Sequence, residues 1–489
     1  MSLSSALASA NSGLVQSSIR ANVAASNVAN ASTPGYAARE AVSSENVVGG
    51  VGNGVSVIDV SRSEDTALTR LRRDASSSSA RSEIMAEAYN TLNTNMGEPG
   101  SGYGLFASFE DFQGNLELLA TTPESEAMQN AVVAAAKDVA SQFNTLADGA
   151  SDLRSAADDN IATAVDTVNA ALYRLRDINT EISGLSGSPG GTAAIEDERQ
   201  GLLDTISEII PIKDIERSGD QIDVITESGV FLLAGTVSEL SFSPIAFIDD
   251  TMRLGEAGSP LSGLMVGEAN LTPGSDGIHA VTTGALSGYF AVRDEVATEF
   301  IDSLDAVAAD IVTRLSDDSL DATKLAGDPG IFTDNGNALD PTNTIGLASR
   351  LAVNSALDPS QGGKVSRIRD GVGAVTNGPT GESAYINAVI SALETGVAAP
   401  ADTQLSGEYG TLDLVANVSS VMGEKSFRFD TINASATTRL NTLSDAEIEQ
   451  IGVDTDFEVQ NLLVIEQAYA ANARVIQTVS DMIDRLLQL

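Results

Sequence analysis

The chain has 489 residues, no cysteine, no tryptophan, a single histidine (His279) and a formal net charge of −41. Those counts exclude disulfide frameworks, thiolate metal sites and histidine-cluster zinc chemistry, and the charge argues against nucleic acid and anionic membranes as partners. No apolar run approaches the roughly 18–20 residues of a membrane span, and residues 1–30 lack the basic and apolar regions of a secretory signal.

At this length three or four domains are expected. In chain order, Leu3, Leu7, Ala10, Leu14, Ser17, Ala21, Ala24 and Val28 recur at four- and three-residue steps, which predicts one helical face. Small residues dominate that face, so a second helix could approach it closely. Asn30-Ala31-Ser32-Thr33-Pro34-Gly35-Tyr36 ends the run, with Pro34 and Gly35 as the breakers of a helix-ending turn that spans Thr33 to Tyr36. Residues 45–60 place Gly50, Gly52 and Gly54 before the alternating Val55, Val57, Ile58 and Val60. A dinucleotide loop would open a helix after its glycines, whereas here a strand begins, so a hairpin is the better reading.

Residues 62–95 return to helical patterning through Leu68, Leu71, Ile84, Met85, Tyr89 and Leu92, and the glycines of 97–104 break it. A helix over 105–119 follows, and Thr122-Pro123-Glu124 starts another. Residues 126–183 carry long amphipathic patterns, Val132, Val139, Phe143 and Leu146, then Ile161, Val165, Val168, Leu172, Leu175, Ile178 and Ile182, which predict long helices packed side by side as a bundle. Within them Asp158 and Asp159 read as an exposed acidic helix face rather than a cation site. Residues 186–191 form a loop, and 194–210 a helix closed by Pro211. Short apolar runs separated by Gly, Ser and Asp predict a β region to about residue 285. Residues 286–315 are one long helix, 316–401 surface loops with short elements, and 412–443 helical again.

The last stretch, residues 455–489, spaces Val459, Leu462, Ile465, Tyr469, Asn472, Ile476, Val479, Ile483 and Leu486 by threes and fours, which predicts one helix of roughly 50 Å with an apolar stripe. The fold class expected is multidomain and mainly α with a β-rich insert. Terminal helices at 1–40 and 451–489 pair as a coiled-coil-like domain. A helical bundle is drawn from 41–220, 286–315 and 404–450, a β-rich outer insert covers 221–285, and an irregular region covers 316–403. Burial of eight apolar residues does not offset the entropy of ordering some 60 residues, so the ends are expected to be mobile in a lone subunit and to fold among copies.

No catalytic constellation emerges. One histidine and no cysteine leave no triad, and Asp454-Thr455-Asp456-Phe457-Glu458 fails as a calcium loop because Val459 stands where the loop requires glycine. Those acids read instead as charges at a helix N-terminus. No cofactor and no enzymatic activity are expected.

Two motifs carry a resemblance. Ala24-Ala25-Ser26-Asn27-Val28-Ala29-Asn30-Ala31-Ser32-Thr33-Pro34-Gly35-Tyr36 is similar to the N-terminal motif of flagellar rod, hook and hook-associated proteins. Ile451-Gly452-Val453-Asp454, followed by Glu466-Gln467-Ala468-Tyr469-Ala470-Ala471-Asn472-Ala473-Arg474-Val475-Ile476, is similar to their C-terminal motif. Between them, residues 126–146, 164–182, 196–204 and 288–304 resemble the helical domain of the hook-associated protein 1 family, the hook–filament junction proteins.

The resemblance implies a structural flagellar part, exported through the flagellar type III apparatus without a cleaved signal peptide. It also implies a homo-oligomeric ring between hook protein and hook-associated protein 3, an extracellular location, and an export chaperone that holds the C-terminal segment beforehand. The expected assembly surface is Leu3, Leu7, Leu14 and Val28 with Val459, Leu462, Ile465, Tyr469, Ile476, Val479, Ile483 and Leu486. Rival readings are another axial protein, hook or distal rod, or a secreted adhesin or enzyme on a helical stalk.

Overall fold

The computed structural model describes residues 3–33, 35–48, 51–185 and 192–487. Pro34, Gly50, and the loop expected at 186–191 lie outside them. The fold is mainly helical with small antiparallel sheets. Its spine is α4 (Glu126–Leu185), 60 residues without a break and therefore about 90 Å long, one helix where several side by side were expected. The sequence spacing explains that length, because Val132, Val139, Phe143, Ile161, Val168, Leu172, Leu175, Ile178 and Ile182 keep one stripe that is wholly buried.

Two cores share this spine. The first joins the N-terminal half of α4 to α2 (Thr66–Met96), α3 (Gly104–Thr121), α7 (Ala297–Leu315) and the start of α11 (Thr411–Ile451). Edge-to-face pairs Phe109–Phe143 and Phe112–Phe332, with centroids 6.0 and 5.7 Å apart, stiffen it. The second joins the C-terminal half of α4 to α5 (Ala193–Ile209), α6 (Gly284–Ala291) and the β region.

That β region starts earlier than its expected boundary. Strand β3 (Ile212–Glu216) follows Pro211 directly and pairs with β4 (Ile222–Thr226), β5 (Phe231–Ala234) and β6 (Thr236–Val237) as an antiparallel sheet. Beyond it, β7 (Leu240–Ser241), β8 (Met265–Val266) and β9 (Ala269–Asn270) make a second one. The helix expected over 286–315 is interrupted by a π-helical turn, Val292–Val296, between α6 and α7.

The π-helical turn aims Arg293 into the interior, where its guanidinium meets Asp158 at 2.6 Å and lies 4.7 Å from the Phe290 ring centroid. Asp158 is thus 1% exposed, not the solvated acid expected from its surroundings; Asp159 is the exposed member of the pair. One helical turn earlier, the buried Arg154 donates to the carbonyls of Arg293, Asp249 and Met252. Burial, followed by the neighbouring Arg253 charge, lowers its pKa to about 10 despite the opposing pull of Asp294.

Residues 316–403 are less peripheral than their composition suggests. Ile331, Phe332 of β10 (Phe332–Asp334), Leu347 of α8 (Leu347–Arg350), Leu351 of β11 (Leu351–Val353), Ile368 of α9 (Arg367–Asp370) and Ile386 and Val389 of α10 (Ala384–Glu394) all belong to the first core. Apolar residues spaced singly along a Gly- and Asp-rich chain produce no periodicity, yet each is buried against α3, α4 or α7. A two-residue pair, β12 (Val397–Ala398) with β13 (Glu408–Tyr409), leads into α11.

The ends of the chain stand apart from both cores. Helix α1 (Leu3–Asn30) packs on α12 (Thr455–Leu487) and on a hairpin of β1 (Arg39–Val48) and β2 (Val51–Arg62). The hairpin replaces any phosphate-loop reading: Gly52 and Gly54 sit within β2, and the Val55 amide donates to Ser12 Oγ at 3.1 Å.

Candidate assembly surface

The seam between α1 and α12 is built from small and polar side chains. On α1 the buried residues are Ala10, Gly13, Ser17, Ala24 and Asn27, a three- and four-residue rhythm offset from the larger Leu7, Leu14 and Val28. On α12 Glu458, Ile465 and Val479 are buried, with Asn461, Leu462, Asn472 and Ile476 half-buried beside them. Gly13 makes room for the Asn472 amide: a Cβ there would lie 2.6 Å from Asn472 Nδ2, so any side chain would have to displace that amide.

Asn27 is the centre of the seam. It is 0% exposed, and its Nδ2 donates to the Arg39 carbonyl at 2.9 Å and to Glu458 Oε1 at 2.5 Å. Its Oδ1 accepts from the Tyr36 hydroxyl at 2.9 Å and the Arg39 amide at 3.1 Å. Both donors and the acceptor oxygen are used, so one buried amide ties α1, the turn, β1 and α12 together. Burial pushes the Tyr36 phenol above its ordinary value of 10.0, against the pull of the Arg39 guanidinium 4.7 Å from its ring centroid. Higher on the pair, Arg20 donates to Asn461 Oδ1 at 3.1 Å.

The turn at Thr33–Tyr36 closes α1 as expected. The Thr33 amide donates to Asn30 O at 2.8 Å, Gly35 adopts φ 77°, and the Tyr36 amide donates to Thr33 O at 3.2 Å. Thr33 and Gly35 are exposed and Tyr36 is half-buried; Pro34 lies outside the described residues. At the other crossing, α11 ends at Ile451, whose carbonyl accepts the Ala38 amide at 2.9 Å. Asp454 Oδ1 then caps α12 by accepting the amides of Asp456 and Phe457, both at 3.0 Å.

Ion pairs anchor this end of the molecule to the bundle. Asp197 on α5 takes Arg39 at 2.5 Å and Arg62 at 2.7 Å, and these two arginines face each other across the base of the hairpin. Glu447 on α11 accepts from Thr69 and Arg72 of α2, and Asp204 takes Arg72 and Arg73, each at 2.7 Å.

What the seam leaves uncovered is the larger feature. On α12, Val459, Leu463, Val464, Tyr469 and Leu486 are 49–59% exposed, Leu487 is 80% exposed, and Phe457, Val475, Met482 and Ile483 are also open to solvent. Leu7, Val15 and Val28 are exposed on α1. The twelve positions read from the sequence therefore divide. Ile465 and Val479 fill the intramolecular seam. Leu3, Leu14, Leu462 and Ile476 are half-buried, and Leu7, Val28, Val459, Tyr469, Ile483 and Leu486 face outward. The sequence reading missed the structural role of Asn27, Glu458, Arg39, Arg62 and Asp197. The one available signal was an amide side chain, Asn27, beside an otherwise small-residue face.

Among the described residues no cluster of His, Cys, Asp or Glu could hold a metal ion, and no helix is long and apolar enough to cross a membrane.

Comparison with known proteins follows the same division. Residues 89–332, most of the bundle and the β region, match the helical domain of flagellar hook-associated protein FlgK. Residues 7–36 match the flagella basal body rod protein family, and 446–489 match the C-terminal region of flagellar basal body rod FlgEFG proteins.

The chain belongs to the flagellar hook-associated protein 1 family.

Flagellar hook-associated protein 1 of Escherichia coli K12 is 25% identical, with 100% of both chains covered. The Bacillus subtilis 168 protein of that name is 22% identical over 95% of this chain and 94% of its own. The solved flagellar hook junction protein FlgK from Burkholderia pseudomallei is 16% identical with a TM-score of 0.42, over 55% of this chain and 47% of that one. Measured against that structure, the match spans about half of the solved chain. The family is a structural one of the bacterial flagellum.

Proposed function

We propose that this chain is a structural subunit of the junction between flagellar hook and filament, and that copies close into a ring through α1 and α12. The observation that carries the reading is the row of large apolar side chains on α12, Val459, Tyr469, Ile483 and Leu486 among them, which no other part of the described chain covers. A row of that length on a 33-residue helix is what a coiled assembly of like subunits buries.

In this reading the ring contacts hook protein on one side and hook-associated protein 3 on the other. The chain leaves the cell through the flagellar type III apparatus, and a chaperone covers the apolar C-terminal segment before export. Leu3, Leu7, Leu14 and Val28 join the α12 residues at the surface between copies, and the Thr33–Tyr36 turn aims the pair into the tube.

A deletion strain tests this reading. Loss of filaments, with monomeric flagellin shed into the medium, is the expected phenotype. Intact filaments would overturn the junction role.

A further inference from the structure

The charge of this molecule is divided very unevenly. Helix α1 carries one charged residue, Arg20, and α12 carries five carboxylates and two arginines, so the pair together has a net charge of −2. Of the chain's −41, the remaining −39 therefore lies in the hairpin, the bundle and the β region. The exposed apolar residues of α12 sit on the nearly neutral part.

We propose that ionic strength gates the contact between copies made through the low-charge surface of α1 and α12, through repulsion between their acidic outer bodies. The inference rests on the terminal pair being the assembly surface, and it adds the condition under which that surface closes. Apolar burial drives the pairs together, while each approach also brings two bodies of −39 side by side. Repulsion of that kind acts over a Debye length of about 10 Å at 0.1 M salt and about 3 Å at 1 M, so salt removes it without weakening the apolar contact.

Sedimentation of the purified full chain from about 0.05 to about 2 M NaCl tests this. The expected result is a monomer at the low end and oligomers at the high end. Salting-out of apolar surface would produce the same trend, so a charge variant separates the two causes. Glu110, Asp138, Asp159 and Asp166 are exposed acids outside the terminal pair. Glu110→Lys, Asp138→Lys, Asp159→Lys and Asp166→Lys together change the charge by two units each, from −41 to −33. The account expects the salt midpoint of this variant to fall by about twofold or more, with unchanged circular dichroism. An unchanged midpoint in a folded variant overturns the gating, as does equal association of the native chain at both ends of the salt range. No association at any salt overturns the assembly reading itself. Tyr469→Ser with Leu463→Ser, which touches only the apolar surface, should abolish oligomers at every salt concentration.

Discussion

Helices α4 and α12 share a pattern in the sequence and differ in what covers them. Both repeat apolar residues at three- and four-residue steps, interrupted by Arg154 on α4 and by Asn472 on α12. On α4 the stripe meets α3, α5 and α7 of the same chain, and Val139, Phe143, Val168 and Leu172 are all 0% exposed. On α12 one narrow seam against α1 buries Ile465 and Val479, and the rest of the stripe faces solvent. Periodicity thus identifies a face that must be covered and says nothing of whether the cover is in the same chain.

The comparison breaks most visibly under truncation. Removing residues 481–489 should abolish assembly, read as loss of filaments in cells, while far-ultraviolet circular dichroism shows the bundle still folded. Retention of filaments would mean that the exposed end of α12 has no partner. Next in size are matched substitutions on the two helices. Phe143→Ala should cost the isolated subunit about 3–5 kcal/mol in denaturant unfolding, because the ring leaves a cavity between α3 and α4. Tyr469→Ser should stay within about 0.5 kcal/mol in the same experiment and yet weaken assembly. Comparable losses at both positions would show that α12 is covered in the lone subunit.

Asn27→Ala sharpens the comparison from the seam side. It leaves Glu458 and the Arg39 backbone without their buried partner, at about 1–3 kcal/mol to the terminal pair. Amide exchange in α1 and α12 should rise, with α4 unchanged.

The smallest effect concerns pH and belongs to the bundle alone. Asp305 on α7 is buried, and burial pushes its pKa to about 7 even though the amides of Gly346 and Ala348 donate to it at 2.6 and 2.7 Å. Its folded value lies above the unfolded 3.8, so its contribution to stability is full below about 3.8 and is lost as pH rises through about 7. Between pH 6 and 8 the native bundle should lose stability, measured by urea midpoints, with a slope that Asp305→Asn removes.

Large amphipathic elements were legible because burial of a stripe imposes its own period. The spans of α2 and α5 follow from the apolar spacing, and the turn at Thr33–Tyr36 follows from Gly35, whereas α4 is one helix where several were expected and α11 runs on to Ile451, past the expected end at 443. The predicted α1 face already held Ala10, Ser17 and Ala24, which are buried; Gly13 and Asn27 fell outside its four- and three-residue steps and complete the seam, while Leu7 and Val28 lie outside it. Asp158 was illegible because its partner, Arg293, is 135 positions away and reaches it only through a π-helical turn. The ion pairs of Asp197 with Arg39 and Arg62 were hidden similarly, since in an acidic chain no carboxylate stands out by type.

Hydrogen exchange of α12 compared between the purified subunit and isolated hook–filament junctions tests the central claim most directly. Backbone amides from Thr455 to Leu487 should exchange faster than those of α4 in the subunit and become protected to the level of α4 in the junction, while those of α4 are protected in both. Protection of α12 equal to that of α4 in the lone subunit would contradict it.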